Sequence, residues 1–496
     1  MLKRIFVCAP LFLVFCLGTL RAQSVCPLNG TLSAKLVCTV PQVYGGFGLG
    51  SGATAPLLAD GHEAHFEGEF LSSFGPINEA VGVQLSQLPI ASPSSGITFV
   101  YDPSLKTFAP STEETSLGPI LGERANTIGK HKLYVAFSFQ YFNFSSIDGH
   151  DSSKLSSVFQ HEVFPPPPPP SFVTACPNQT GLSNTKYAGN PCFVGDFIQT
   201  TNNIDLRVHQ YTIYATYGLT RHLDFSIAVP ILNVSMNVSS AAQIVQNSIA
   251  PPGNPNFPGG VFHQFNPATV PSCGSTSPCL NASFADSASA SGIGDVTLRG
   301  KYELYHGERF GFAAGVDVRL PTGDEENFLG GGATGVKPFG IVSYSARVSP
   351  HAVIGYEVNG KSILAGDFVG TPTNTKGSLP NRFVYTVGAD VSIVKRLTGA
   401  FDFYGQRLFG VPQVFSNPYT DLGHCADVAC SNFTPGTTHP DLGVRTNVDY
   451  NILNASFGLK YRLVHQLIIT GNVLVKLNDN GLRATAVPLI GASYSF

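Results

Sequence analysis

From residue 131 to the C-terminus, apolar and polar residues alternate in runs of about ten or more, the length a bilayer-crossing strand needs. In one run Val296, Leu298, Gly300, Tyr302 and Leu304 interleave with Asp295, Thr297, Arg299, Lys301 and Glu303. In the next, Phe310, Phe312, Ala314, Val316, Val318 and Leu320 interleave with Gly311, Ala313, Gly315, Asp317 and Arg319. Side chains of a strand point to opposite faces in turn, so each run has one oily and one polar face. A strand tilted by ~45° crosses a bilayer in ~9–11 residues, whereas soluble strands average ~5–6. Run length therefore favours the membrane over a soluble sandwich.

The links between runs alternate as well. Tight ones fall at 218–222, 306–309, 348–350, 395–396 and 464–465; long ones fall near 147–202, 239–292, 322–335, 361–380 and 410–445. Short turns at one end and long loops at the other mark an outer-membrane barrel. The fold class is all-β, a transmembrane antiparallel barrel of about twelve strands, an even count as bacterial barrels require. They lie near 131–146, 203–217, 223–238, 293–305, 310–321, 335–347, 351–360, 381–394, 397–409, 446–463, 466–478 and 482–496. A slip in the alternation near Pro230–Leu232 predicts a bulge there. Fourteen strands result if the N-terminal region adds two.

The address agrees. Lys3 and Arg4 precede an apolar stretch over residues 5–20, and Ala22 offers a small residue for cleavage, so residues 1–22 read as a signal peptide. An uncleaved anchor and a lipid on Cys16 or Cys26 are the competing readings; the stretch is short of a span and no lipobox precedes either cysteine. Beyond Gln23 no apolar run reaches the ~18 residues of a membrane helix. Charged residues form only 12 % of the chain, with 52 Gly, 36 Phe and 18 Tyr, which suits a wall facing lipid. A net charge of −3 without a basic block argues against nucleic acid. Ile490, Ala492, Tyr494 and the terminal Phe496 share one face, a pattern similar to the signal read by barrel-assembly machinery. Lipid of a bacterial outer membrane and that machinery are the expected partners, beside a small-molecule solute.

The eight cysteines after the signal fall into close pairs: Cys26 with Cys38, Cys176 with Cys192, Cys273 with Cys279, and Cys425 with Cys430. In an exported chain such pairs read as disulfides closing short loops; zinc is disfavoured by the lack of a CxxC or paired-His pattern. The six prolines at 165–170 read as a stiff spacer in a loop.

Residues 23–130 alternate poorly. A short helix is expected over 78–88 and a hairpin over 97–112. The region is expected either to plug the lumen or to form a small periplasmic or strand-contributing segment, so the domains read 1–22, 23–130 and 131–496.

The polar faces turn Arg299, Lys301, Glu303, Asp317, Arg319, Asp390, Asp402, Lys460 and Arg462 toward the lumen. They could select a solute, but mixed signs better suit pairing between neighbouring strands. Asp324, Glu325 and Glu326 lack calcium-loop spacing, and residues 330–337 fail the phosphate-loop pattern. No G-x-S-x-G or H-E-x-x-H appears, so neither an enzyme, a metal nor a cofactor is expected.

Several phrases resemble a known family: NEAVGVQLSQLP at 78–89, YGLTRHLD at 217–224, GIGDVTLRGKY at 292–302, LPTGDEEN at 320–327 and SPHA at 349–352. Together they are similar to the outer-membrane proteins grouped as the "MetA-pathway of phenol degradation" transporters, themselves akin to hydrocarbon and fatty-acid uptake channels. The resemblance spans most of the mature chain. It implies a barrel passing small hydrophobic or aromatic compounds, although the phenol label carries no chemistry of its own. The alternative is a structural or adhesive barrel with disulfide-clamped surface loops.

Overall fold

The computed structural model describes residues 30–42, 66–67, 74–85, 88, 99–102, 107–110, 116–161, 195–248, 261, 263–265, 278–366, 376–425, 432–464 and 466–496. Twelve antiparallel strands close into a barrel. They are β1 (Leu133–Ile147), β2 (Phe197–Gly218), β3 (Leu223–Val245), β4 (Thr297–His306, preceded by an extension Asn281–Ile293), β5 (Phe310–Arg319) and β6 (Gly335–Tyr344). The round continues with β7 (Val348–Asn359), β8 (Arg382–Val394), β9 (Leu397–Ser416), β10 (Leu442–Val464), β11 (Leu467–Lys476) and β12 (Ala486–Ser495). Each strand pairs with the next, and β12 closes on β1 from Leu489↔Gln140 to Ser495↔Tyr134. Closure leaves no edge for hydrocarbon to strand.

The oily residues of the alternation face outward. Ile354 is 56 % exposed, Val387 55 % and Ile490 64 %, while Thr212, Thr386, Asp390 and Asp402 on the opposite face are buried. An outward apolar band around a polar interior is the arrangement of a barrel in a bilayer. No described helix is long and apolar enough to cross a membrane.

Three expectations are corrected. The third short turn occupies residues 345–347, because Val348–Pro350 already belong to β7, with Pro350 opposite Ala389. The presumed loop at 239–292 is largely strand at both ends, 239–245 and 281–293. The bulge expected at Pro230–Leu232 is absent: β3 pairs β2 residue for residue through Thr212↔Pro230, Tyr211↔Ile231 and Gln210↔Leu232. The extra residue sits in the partner instead. Ile293 pairs with Ile231 and Thr297 with Ala228, four steps against three, and Gly294 N–H donates to the Pro230 carbonyl at 2.8 Å.

What slips at Pro230–Leu232 is chemistry, not backbone phase. Below that height β2 and β3 present Tyr211, Ile213, Tyr217, Phe225 and Ile231 outward and bury Thr212, Thr216 and Ser226. Above it Ile204, Leu206, Val208, Val234, Met236 and Val238 are buried, and the outward set becomes Asp205, Arg207, His209, Asn233, Ser235 and Asn237. The two strands have 22 and 23 residues, about twice what a bilayer crossing needs. Their upper halves therefore leave hydrocarbon and enclose an apolar core facing water on the outside. Val234→Asn is expected to cost about 1–3 kcal/mol of stability, read as a lowered urea midpoint, because its amide lies unsatisfied in that core. Ser235→Val on the outward face should stay within about 0.5 kcal/mol.

Among the described residues the N-terminal region adds only a two-residue strand to the sheet, Phe66–Glu67, which pairs with Leu155–His161 through Phe66↔His161 and Glu67↔Gln160; it does not supply two further barrel strands. It contributes α1 (Leu32–Gln42), α2 (Phe74–Leu85) and a hairpin of Phe99–Asp102 with Thr107–Pro110, close to the expected helix and hairpin. Residues 1–22 and the six prolines lie outside the described residues.

The cysteines divide in the same way. Cys26, Cys176, Cys192, Cys273 and Cys430 lie outside the described residues. Cys38 falls on α1 and Cys425 on the two-residue strand His424–Cys425. Cys279 stands just before the extension of β4; it is buried, and its backbone N–H donates to Gln264 Oε1 at 3.4 Å. No expected pair has both members among the described residues, so the expected pairings of Cys26 with Cys38, Cys176 with Cys192, Cys273 with Cys279 and Cys425 with Cys430 lie outside them.

Candidate functional site

Residues 116–132 carry no regular structure, yet their side chains are mostly buried. The segment enters at the turn end, where His131 N–H donates to the Gly218 carbonyl at 2.8 Å, and its earlier residues run up inside the barrel. Irregular backbone at membrane depth must be satisfied by protein or by water. The wall satisfies this one. Leu117 N–H donates to Thr398 Oγ1 (2.7 Å), Leu121 N–H to Asp402 Oδ2 (3.1 Å), Ala125 N–H to Ser343 Oγ (3.1 Å) and Ile128 N–H to Asp224 Oδ2 (3.0 Å). In return Lys301 Nζ donates to the Asn126 carbonyl (2.9 Å) and Lys460 Nζ to that of Leu117 (3.4 Å).

Charge fixes the segment further. Glu123 pairs with Arg299 and, at 3.1 Å, with Lys301. Arg124 and Ser116 both donate to Asp390, which is fully buried. His351 bridges the two acids of this clasp, 2.6 Å from Asp402 and 3.5 Å from Asp390. Gly122 passes this point, where a Cβ would strike both His351 and Asp402, so no larger residue fits the observed path.

Six of the nine residues singled out from sequence thus meet around the segment: Arg299, Lys301, Asp317, Asp390, Asp402 and Lys460. Asp317 does so through Arg299, which donates to it twice (2.6 and 2.7 Å), and also pairs with Lys337 at 2.9 Å. Arg319 lies higher, against Asp295 (2.8 Å) and Glu357 (3.3 Å). Glu303 is at the turn end between His306 (2.9 Å) and His222 (3.4 Å), and Arg462 is half-buried there, apart from the others. Sequence reading missed Glu123 and Arg124, which belong to no periodic run. Their one signal is a Glu-Arg pair inside an apolar Gly/Pro-containing stretch. It also missed His351, Glu357 and Arg382, which pairs with Glu357 at 2.6 Å, although all three occupy the polar phase of strands.

Above the segment, Leu32 and Leu36 of α1 and Ile77, Val81 and Leu85 of α2 pack with Phe142, Phe144, Leu206 and Val234 in one cluster. Lys35 reaches across to Asp286 at 2.9 Å. A cavity of ≈ 30 Å³ beside Ile120 and Lys460, and another of ≈ 60 Å³ beside Gln84 and Arg483, leave room for only a few waters. Burial on α2 pushes the Glu79 carboxyl up to about 7. A carboxyl raised on folding favours the docked helix while protonated. Docking is therefore strongest below the ordinary value of 4.5, weakens as pH rises to about 7, and changes no further above it. Protease protection of α2 should follow that course, and Glu79→Gln should flatten it.

Asp324, considered as a calcium ligand, caps a short 3₁₀ turn by accepting from Glu326 and Asn327 N–H. Among the described residues no three His, Cys, Asp or Glu are grouped to hold a metal.

No curated protein matches the chain. Among solved structures it is similar to the COG4313 outer membrane channel from Pseudomonas putida F1, with 10 % identity, 75 % of this chain and 98 % of that one covered, and a TM-score of 0.37. It is also similar to the Pseudomonas putida toluene transporter TodX, with 10 % identity, coverage of 75 % and 95 %, and a TM-score of 0.25. Residues 183–406 match the family described as "Putative MetA-pathway of phenol degradation", a narrower span than the resemblance reading, which took in residues 78–89. With its closed twelve-strand wall and outward apolar band, the chain is an outer-membrane β-barrel whose residues 183–406 match the model of that family.

Proposed function

We propose that this barrel passes small, hydrophobic or aromatic molecules down their gradient, with residues 116–128 as a removable stopper. The supporting observation is how the segment is held. It is fixed by hydrogen bonds and ion pairs from β3, β4, β6, β8, β9 and β10, a wall already closed by its own pairing. Removing it breaks no strand contact and exposes Arg299, Lys301, Asp317, Asp390, Asp402 and Lys460 to whatever enters. A lumen occupied by residues 116–128 equally fits the second reading, a structural or adhesive barrel with disulfide-clamped loops. Phe496 packs on Tyr494 and pairs through its backbone with Leu133 (2.7 Å), in keeping with delivery by barrel-assembly machinery through the last strand.

Solute entry into liposomes and conductance across planar bilayers separate the readings. The chain lacking residues 23–130 should admit small polar and aromatic compounds faster than the intact mature chain. Silence from both leaves the structural barrel.

A further inference from the structure

Cations that stand far apart in sequence gather at the turn end of the barrel. The described residues of its short turns are 219–222, 307–309, 345–347, 395–396 and 466, with 129–132 leading into β1. They present Lys130, Arg221, Arg309, Arg347, Lys395 and Arg396 as exposed side chains, and Glu308 is the sole acid among them. The whole chain carries a net charge of −3, so this end departs in sign from the rest.

We propose that this collar binds the phosphate groups of anionic phospholipids in the leaflet at the turn end. Position favours lipid over a solute or a protein partner. Among the described residues, cations recur on four of the five short turns, and Lys130 adds one beside β1, instead of lying over one sector. Those on the turns lie within two residues of an exposed apolar side chain of the belt: Leu219 (46 % exposed), Phe310 (54 %), Val348 (52 %) or Val394 (59 %). Arg309 donates to Tyr344 Oη at 3.0 Å, and Tyr344 stands opposite the outward-facing Phe310, so this guanidinium lies on the lipid side of the wall. Aromatic rings and long basic side chains at that height meet headgroups while their stems cover apolar surface. A basic residue near an anionic bilayer gains about 1 kcal/mol, so several acting together set a preference of tenfold or more.

The test is lipid retention by the folded full-length mature protein. It is purified from detergent containing equal phosphatidylglycerol and phosphatidylcholine, and bound lipid is counted by mass spectrometry. The wild type should keep about tenfold more phosphatidylglycerol, and the preference should vanish in about 0.5 M salt as screening shortens. The variant R221Q/R309Q/R347Q/R396Q should lose the preference, and the corresponding Arg→Lys variant should keep it. Equal retention of both lipids by the wild type overturns the proposal, as does a preference that survives high salt or the four Gln substitutions. A Gln variant that keeps its lipid preference but changes ion selectivity assigns the collar to solutes instead. Should the Gln variant not fold, the wild-type salt titration decides.

Discussion

Asp390→Asn should open the barrel. Asp390 is fully buried and accepts from Arg124 and Ser116 of the luminal segment, with His351 at 3.5 Å. Removing one charge of a buried pair while leaving the other costs about 3–5 kcal/mol. That cost falls on segment docking, because β8 keeps its full ladder to β7 and β9. At about 1.4 kcal/mol per tenfold, the undocked population should rise about a hundredfold or more. Single-channel recording should show long openings where the wild type is quiet, and trypsin should reach Arg124. Unchanged conductance with a lowered denaturation midpoint would show that the clasp only stabilises the wall.

Ile354→Arg carries the second large effect. Ile354 stands outward near the middle of β7, paired with Tyr385 and Gly340. A cation at the bilayer midplane destabilises a barrel by about 2–4 kcal/mol, falling to about 0–1 near the interface. Val348→Arg, at the turn end of the same strand, should therefore be far milder. Urea titrations in phospholipid vesicles, followed by heat-modifiable mobility, compare the two. Equal losses would mean that this face is packed against protein and not against lipid.

Much of the wall was legible because a strand has a period of two and a membrane has two solvents. Runs such as 382–394 and 397–404 announce both the strand and its outward face, and the observed strands begin within a few residues of expectation. Legibility failed where chemistry and geometry part company. In β2 and β3 the backbone keeps its phase while the outward side changes from apolar to polar above Tyr211 and Ile231, since those strands pass from lipid into water. A reader following polarity alone sees a slip and expects a bulge. The luminal segment was illegible for another reason. Irregular backbone has no period, and Leu117, Leu121, Ala125 and Ile128 find their hydrogen-bond partners about a hundred to about three hundred residues downstream.

By itself the sequence determined that this chain must close as antiparallel ribbons with an oily exterior, because alternation is a local property and hydrocarbon tolerates no unpaired backbone. Only the tertiary structure decided what fills the interior and what rings the rim. Closing the barrel brings Asp390 to Arg124 and sets Arg221, Arg309, Arg347 and Arg396 at one end. Neighbourhoods made by closure depend on register and strand count, and no stretch of chain carries either one locally.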